Sequence, residues 1–224
     1  MRIISGTAKR RQIKTPSFST GVRPILARVK KSLFDILRPR IAGSYFLDLF
    51  AGSGAVGIEA LSAGAASVTF VDSNPRCLSV IRQNLSRLQL FDRARLVRAD
   101  VTRNLAVGGG PFDLIFMGPP YHEICRNRPP HGRADARPSF GERLHLTGPT
   151  LKEIGRVRIL KEGGWVISQH HAKENPVQLP QWKLFRQESY GDTKLSFFSF
   201  DSSFPAVSGR ESMDPRQGHS GMTA

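Results

Sequence analysis

An acidic residue and a glycine-rich turn stand together in the stretch DLFAGSGAVG, which begins at Asp48. The glycines follow the spacing G-x-G-x-x-G, at Gly52, Gly54 and Gly57. Glycines in this arrangement let the backbone bend from a strand into a helix and approach a bound nucleoside closely. Two more aspartates, Asp72 and Asp100, end later apolar runs. These residue types predict a nucleoside-binding edge, and the charge of its ligand remains to be decided.

The acids indicate which ligand fits. A dinucleotide site uses the same turn to neutralise a pyrophosphate, and an acid just before the glycines would repel that group. S-adenosylmethionine carries an ammonium group and a sulfonium and has no phosphate. We therefore expect Asp48 to face a cation, Asp72 to accept from both ribose hydroxyls, and Asp100 to accept from an exocyclic amine such as that of adenine. A single aspartate at a strand end is often only a turn former or helix cap, but the three in order favour this methyl donor over a nicotinamide cofactor.

A fourth motif, Gly118-Pro119-Pro120-Tyr121, follows the apolar run FDLIFM. The two prolines have no N–H to donate, so their peptide units offer only carbonyl acceptors. Tyr121 offers a flat face on which a base can stack. Acceptors beside an aromatic wall suit an amino group on a planar ring.

Short apolar runs alternate with helical patterns from residue 45 onward, which is typical of parallel strands joined by crossover helices. Because such sheets bind ligands at the carboxyl ends of their strands, this order would bring all four motifs to one edge. Runs on either side of Gly191-Asp192 predict an antiparallel hairpin that completes the sheet. The predicted class is α/β, with strands at 45–50, 67–72, 95–100, 112–117 and 164–170 and helices at 55–62, 75–89 and 150–161.

Positive charge is concentrated at the start of the chain. The formal net charge is +15 over 224 residues, and residues 1–40 contribute +10 of it, because they hold eleven Lys or Arg against one acid. Such a segment suits a polyphosphate backbone, since each neutralised phosphate releases a counterion. It lacks the long apolar stripe that a membrane-surface helix needs. Nucleic acid is therefore the favoured partner.

Within this basic segment we expect a short strand, a turn at Gly6 and a second strand ending at Pro16, forming an arm rather than part of the core. Apolar residues at helical spacing predict a helix from about residue 29 that Pro39 ends. Four basic residues would ring that helix, namely Arg28, Lys30, Lys31 and Arg38. The expected organisation is a basic arm and helix over 1–40, an α/β domain over 41–200 and a disordered tail over 201–224.

Other kinds of site find little support. Cys77 and Cys125 stand far apart without a second pair, which argues against a disulfide scaffold or a cysteine zinc site. The histidines show no metal-ligand spacing, and we find neither a signal-peptide core nor an apolar run of the roughly 20 residues that span a bilayer. We expect a cytoplasmic monomer that needs no metal, with a mobile loop at 126–149, where Pro, Gly and Arg abound.

Taken together, these motifs resemble the guanine-N2 methyltransferases that act on the 16S ribosomal RNA of the small subunit. The shared stretches are the Arg23-Pro24 pair with ARVKKSLFDIL after it, DLFAGSGAVGIEALSAGA, VDSN, FDLIFMGPPY and YGDTKLSFF. They cover about residues 1–125 and 150–200 in the expected order. The resemblance implies a Rossmann-like class I methyltransferase fold with a seven-stranded sheet, S-adenosylmethionine as cofactor, and 16S ribosomal RNA or the assembling small subunit as partner.

The resemblance also implies roles for individual residues. The methionine part of the donor would be held by Asp48, Phe50, Ala51, Gly52, Ser53 and Gly54. The ribose would be held by Asp72 and Ser73, and the adenine by Asp100 and Val101. The target guanine would be held by Gly118, Pro119, Pro120 and Tyr121. The RNA backbone would be contacted by Arg10, Arg11, Arg23, Arg28 and Lys31.

Two features depart from the family pattern. The proline motif of the family usually begins with Asp or Asn, whose oxygen accepts from the target amine, and here that position is Gly118. A lost acceptor should weaken the alignment of a poorly nucleophilic amine, unless the Pro119 carbonyl or a water replaces it. The loop at 126–149 is also longer than usual. The open alternatives are an adenine-N6 methyltransferase acting on DNA or another RNA, a non-catalytic RNA-binding relative that retains the donor pocket, and a nicotinamide oxidoreductase.

Overall fold

A single seven-stranded sheet organises the chain, in the order β3-β2-β1-β4-β5-β7-β6. The computed structural model describes residues 1–16, 25–102, 105, 107–119, 146–174 and 179–201. The strands are β1 Tyr45–Leu49, β2 Ser67–Asp72, β3 Ala94–Arg98, β4 Phe112–Met117, β5 Leu160–His171, β6 Trp182–Tyr190 and β7 Thr193–Phe200. The first five pair in parallel, and β7 runs antiparallel to both β5 and β6. The mostly parallel sheet with a C-terminal antiparallel hairpin is therefore confirmed.

Helices cover both faces of the sheet. They are α1 Ala27–Ile41, α2 Ala55–Ser62, α3 Pro75–Leu88 and α4 Thr147–Val157. Apolar side chains of α1, α2 and α3 pack with one face of the sheet in one buried cluster, and those of α4 pack with the other face in a second cluster. This layering leaves the carboxyl ends of the parallel strands together at one edge.

The two ends of α3 are determined by residues that are neighbours in sequence. The Asn74 side chain accepts from the backbone N–H of Arg76, and Pro75 occupies the first helical position, where no N–H is needed. The left-handed residue Gln89 (φ 60°) ends the helix. Both helix ends agree with the prediction, because capping depends on residues that are neighbours in sequence.

Three helix boundaries differ from prediction, and proline is involved in two of them. The helix α1 does not stop at Pro39 but continues to Ile41. Because Pro39 lies on the exposed side of the last turn, the carbonyl that loses its partner can turn towards solvent. The helix α4 begins at Thr147 rather than Thr150, so that Pro149 falls in its first turn, where a missing N–H costs nothing. In the third, α4 ends at Val157 rather than at residue 161, because the left-handed Arg158 (φ 49°) ends the helix and β5 begins at Leu160 rather than at residue 164.

The N-terminal residues are part of the core, contrary to the expectation of a separate arm. The two predicted strands reduce to one isolated antiparallel bridge between Arg2 and Gln12. The turn at Gly6 is confirmed (φ 73°), and a side chain there would overlap the Ser62 carbonyl at the end of α2. Ile3, Ala8 and Ile13 are buried with the apolar residues of α1–α3. The sequence of the first 16 residues could not predict this burial, because the apolar surface that covers them comes from helices later in the chain.

A buried ion pair fixes this N-terminal segment. The Lys30 ammonium on α1 lies 2.7 Å from the Glu59 carboxylate on α2, and both side chains are almost fully buried. Lys30 also donates to the Arg2 carbonyl (2.9 Å), while Glu59 accepts from the backbone N–H groups of Ile4 (3.0 Å) and Ser5 (2.7 Å). Buried charges persist when they are paired and hydrogen-bonded in this way. The prediction that Lys30 lies on the outer ring of α1 is wrong.

Candidate active site

The turn between β1 and α2 presents bare backbone at the carboxyl edge of the sheet. Phe50 (φ 58°), Gly52 (φ 55°) and Gly54 (φ 75°) adopt left-handed conformations. The Ala51 N–H donates to the Val71 carbonyl on β2 (3.0 Å), and the Gly54 N–H donates back to Ala51 (2.7 Å). Left-handed backbone at a non-glycine residue such as Phe50 is uncommon and concentrates at functional sites. The turn is thus fixed in a shape that a ligand can approach closely.

Asp48 lies beneath this turn. Its side chain is only 2 % exposed, and Oδ2 accepts from the backbone N–H of Gly57 in the first turn of α2 (2.8 Å). Gly54, the residue that precedes the helix, provides no side-chain cap, so Asp48 supplies a hydrogen-bond acceptor for an N–H group in the first turn of α2. Burial raises the pKa of Asp48 to about 8; the Gly57 bond lowers this pKa and the nearby Asp72 raises it further.

Asp72 connects the turn to α3. Its Oδ2 accepts from the Gly52 N–H and its Oδ1 from the Asn74 N–H, both at 2.8 Å. Burial raises the pKa of Asp72, while the two backbone bonds oppose that shift. Each carboxylate oxygen has a second lone pair, so the same side chain can hold the turn and accept from a ligand.

Asp100 has a more open setting. It is exposed just beyond β3, which ends at Arg98 rather than at Asp100 as predicted. Its Oδ1 accepts from the N–H (3.1 Å) and hydroxyl (2.7 Å) of Thr102. The adjacent Val101 is buried, and Ser73 beyond β2 is exposed. The ends of β1, β2 and β3 therefore carry one predicted aspartate each, at or just beyond the strand.

The donor set at this edge suits a cationic ligand. Within the described ranges, the bonds to Asp48 and Asp72 come from backbone N–H groups, so neither carboxylate is neutralised by an arginine or lysine. A phosphate placed here would meet two acids at close range, whereas an ammonium or sulfonium group would relieve the cost of ionising the buried Asp48. The residues fit S-adenosylmethionine better than a dinucleotide.

The proline motif begins where β4 ends. The Gly118 N–H approaches the Leu49 carbonyl of β1 (3.4 Å), which brings the motif beside the glycine turn. Gly118 is half-buried and Pro119 is buried. A methyl group added at Gly118 would lie 3.1 Å from the Phe116 ring, so only a small shift would admit a side chain. The other two residues of the motif, Pro120 and Tyr121, lie outside the described residues.

A polar group of residues on β5 was missed by the sequence analysis. The register pairs Met117 with Ser168, so that the end of β5 lies beside Gly118. The Gln169 Oε1 is 4.0 Å from the position that a Gly118 Cβ would occupy. His170 is buried, with Nε2 2.7 Å from the Ser196 hydroxyl, and burial lowers its pKa. Polar residues directly after the apolar run WVI could have indicated this site.

The described basic residues that were predicted to contact RNA lie on the side of the sheet that α1 covers. Arg10 and Arg11 are exposed in the N-terminal turn, and Arg28 and Lys31 are exposed on α1. Arg11 donates to the Arg87 carbonyl on α3 (2.5 Å) and Lys31 pairs with Asp35 (2.6 Å). Arg23, the remaining predicted RNA contact, lies outside the described residues.

Among the described residues, no three His, Cys, Asp or Glu side chains converge as metal ligands. The second cysteine, Cys125, lies outside the described residues. So do residues 126–145 of the predicted loop and the tail from residue 202. The described helices include none with the length and apolar character required to cross a bilayer.

Comparison with known proteins gives a consistent picture. The model of the family described as conserved hypothetical protein 95 matches residues 1–127. The chain is 32 % identical over 202 residues to a putative rRNA methyltransferase, YlbH, of Bacillus subtilis, an alignment that covers 88 % of this chain and 98 % of that protein. It is 38 % identical over 121 residues to the ribosomal RNA small subunit methyltransferase D of Escherichia coli, which covers 54 % of this chain and 60 % of the relative.

Solved structures agree at the level of the fold. A putative methyltransferase from Escherichia coli, yhhF, superposes with a TM-score of 0.70 and 26 % identity, and the match covers 90 % of this chain and 98 % of that one. A putative methylase from Haemophilus influenzae gives a TM-score of 0.66 at 25 % identity, over 88 % of this chain and 97 % of the other. The Rossmann-like class I methyltransferase architecture is therefore confirmed.

Proposed function

The chain belongs to the family described as conserved hypothetical protein 95, and from that premise we propose that it methylates the N2 amine of a guanine in the 16S ribosomal RNA of the small subunit. S-adenosylmethionine is the proposed methyl donor. The relatives named as ribosomal RNA methyltransferases support this reaction and this class of substrate. The reaction takes place in the cytoplasm, where ribosomes assemble.

One observation carries the proposal. The glycine turn and the proline motif meet at one edge of the sheet, where Gly118 lies against Leu49, the last residue of β1 before the turn. A donor held by the turn and a base held by the motif would therefore be neighbours. Holding two reactants in a productive arrangement supplies much of the rate of a bimolecular reaction.

Each aspartate has a proposed part in donor binding. The buried Asp48 complements the positive charge of the donor, Asp72 and Ser73 bind the ribose, and Asp100 and Val101 bind the adenine. The backbone of Phe50, Ala51, Gly52, Ser53 and Gly54 holds the methionine part. When bound, S-adenosylmethionine supplies an electrophilic methyl group, which the amine takes up with loss of one proton as neutral S-adenosylhomocysteine leaves. This intrinsic reactivity makes a metal unnecessary, and the protein is proposed to act as a monomer.

The target base is held by the proline motif. A guanine turned out of its stack presents its amine to carbonyl acceptors at Gly118 and Pro119 while Tyr121 stacks on its ring. The RNA backbone is contacted by Arg10, Arg11, Arg23, Arg28 and Lys31, which together fix the position of the RNA. Phosphate contacts of this kind carry affinity and register, and the pocket carries specificity.

Transfer of a labelled methyl group tests the proposal. The purified protein is incubated with labelled S-adenosylmethionine and either undermodified 16S ribosomal RNA or assembled small subunits, and the nucleosides are then separated by mass spectrometry. N2-methylguanosine is the expected product. N6-methyladenosine would contradict the choice of base, and donor binding without transfer to either substrate would indicate a non-catalytic RNA-binding protein.

A further inference from the structure

We propose that Gln169, at the end of β5, supplies the side-chain acceptor that Gly118 cannot. In this assignment the Gln169 amide contacts the target base and aligns its amine towards the methyl donor. The inference rests on the proposed function, because it concerns the same base pocket. It makes Gln169 a substrate-positioning residue carried by a different strand from the proline motif.

The register of the sheet puts the two residues side by side. Strands β4 and β5 run parallel, with Phe116 paired to Ile167 and Met117 to Ser168. One further step along both strands brings Gly118 level with Gln169. Equivalent positions of paired strands project to the same face, so a side chain at either residue enters the same space.

The side-chain distances agree with this placement. A Cβ built on Gly118 would lie 4.0 Å from Gln169 Oε1 and 3.1 Å from the Phe116 ring. The amide oxygen is therefore in ordinary van der Waals contact with the place where an Asp or Asn side chain at 118 would start. Because Gly118 has no side chain, the longer Gln169 side chain can reach the same part of the pocket from the neighbouring strand.

The chemistry of an amide matches the edge of a guanine. The carbonyl oxygen of glutamine accepts and its NH₂ group donates. Guanine presents its N2 amine, a donor, directly beside the acceptor N3. One amide can therefore satisfy both atoms at once, which restricts rotation of the base and holds the amine in place. A carboxylate could accept from the amine but would have no hydrogen to offer N3.

Gln169 is also carried by a rigid element. It pairs with Leu195 in the antiparallel ladder between β5 and β7, so β7 holds it on one side. Positioning groups are more accurate on strands and helices than on loops. The loop end of the motif, at Gly118, needs less precision if the neighbouring strand holds the base.

A rescue experiment tests the assignment. The variants Gln169→Ala, Gly118→Asp and the double variant are compared with the wild type in methyl transfer to ribosomal RNA. Gln83→Ala, an exposed glutamine on α3, is the matched control. Donor affinity by calorimetry and the thermal midpoint are measured for every variant, so that loss of fold or of the donor site is detected separately.

The expected result is a fall in kcat of about 10- to 100-fold for Gln169→Ala, with donor affinity and thermal midpoint unchanged, because the base loses its alignment. Gly118→Asp should restore kcat of the double variant to within a few-fold of wild type, because the aspartate then supplies the acceptor. Introduced alone, Gly118→Asp should lower kcat a few-fold, since the aspartate and Gln169 compete for one space. Gln83→Ala should behave as wild type.

Two results would overturn the assignment while leaving the proposed function intact. These are normal kcat in Gln169→Ala, or a loss in a folded, donor-binding variant that Gly118→Asp does not rescue. A wild-type protein that binds donor but transfers no methyl group to RNA would instead refute the proposed function, and this inference with it. Failure of the two proposals is therefore distinguishable.

Discussion

The two halves of the sheet edge are built differently. At the ends of β1 and β2, carboxylates hold backbone: Asp48 binds the Gly57 N–H and Asp72 binds the Gly52 N–H, across 9 and 20 residues of sequence. At the ends of β4 and β5, Gly118 and Gln169 lie 51 positions apart in sequence. The Gln169 side chain lies next to the place that a side chain at Gly118 would occupy. We call the ends of β1 and β2, where we propose that the donor binds, the donor half, and the ends of β4 and β5, where we propose that the base binds, the base half. Backbone hydrogen bonds fix the donor half, whereas in the base half we propose that one side chain compensates for the lack of another.

The largest difference between the halves should appear when a methyl group is added to a glycine. A Cβ at Gly57 would overlap the Phe70 ring and lie 2.9 Å from Val68 Cγ1, both on β2. We expect Gly57→Ala to lower the free energy of unfolding by about 3 kcal/mol through overpacking. Gly118→Ala would bring its methyl group no closer than 3.1 Å to the Phe116 ring and 4.0 Å to Gln169 Oε1, so it should cost less than about 1 kcal/mol. Urea denaturation measures the free energy of unfolding of both variants. Equal losses in the two variants would contradict the view that the donor half tolerates an added side chain less well than the base half does.

Donor affinity should depend on Asp72 more than on any group of the base half. In Asp72→Asn one oxygen becomes an NH₂ group, which cannot accept from Gly52 or Asn74. Losing one such bond to a charged acceptor reduces affinity by about 10- to 100-fold, through displacement of the turn. Calorimetric titration with S-adenosylmethionine measures this loss. Asp92→Asn, on an exposed turn after α3, is the control, and a loss in that variant would show that the effect is not specific.

Titration of Asp48 should make the stability of the folded protein depend on pH. Its pKa in the folded protein is about 8, above the value of about 4 in an unfolded chain, so the folded state holds the proton more tightly. This stabilising contribution is complete below about pH 4 and is lost as the pH rises to about 8. Relative to Asp48→Asn, the thermal midpoint of the ligand-free wild type should fall by roughly 10 to 20 °C across that window.

The opposite trend is expected for donor binding, because a cationic ligand favours the ionised carboxylate. Affinity for S-adenosylmethionine should rise as the pH approaches 8 in the wild type, and binding at pH 7 should release a proton. Calorimetry in buffers of different ionisation enthalpy detects that release. An Asp48→Asn variant with the same pH profile as the wild type would show that another group titrates.

The smallest effect is expected for RNA contacts outside both halves. Arg10 is exposed in the N-terminal turn, and its replacement by Gln should weaken ribosomal RNA binding a few-fold. The slope of log affinity against log salt should fall by about 0.7 to 1, as expected for one lost phosphate contact. Arg156→Gln, on the opposite face at α4, should leave the slope unchanged. An unchanged slope for Arg10→Gln would remove this residue from the interface.

The donor half could be predicted from sequence because its determinants are local. Strand β2 has the predicted bounds, and α3 ends at the predicted cap, since apolar runs and capping residues are adjacent in sequence. The base half could not be predicted in the same way. Its key neighbour, Gln169, is defined only by the pairing of two strands.

The same distinction explains the error at Lys30. Helical periodicity places this residue among exposed arginines and lysines, and only the arrival of Glu59 from α2 makes burial possible. A local pattern records which residues share a helix face. It carries no information about a charge that a distant helix brings to that face.

The order in which the chain is synthesised gives the N-terminal contacts a further consequence. Residues 4, 14 and 11 bond to positions 55, 70 and 76 residues later, on α2 and α3. Domains form from the N-terminus during translation, yet this segment leaves the ribosome before any of its partners exists. The most basic part of the chain must therefore wait, unpaired and beside ribosomal RNA that attracts it, until α3 has emerged. It is made before α2 and α3, yet it can complete its contacts only after both of them are present.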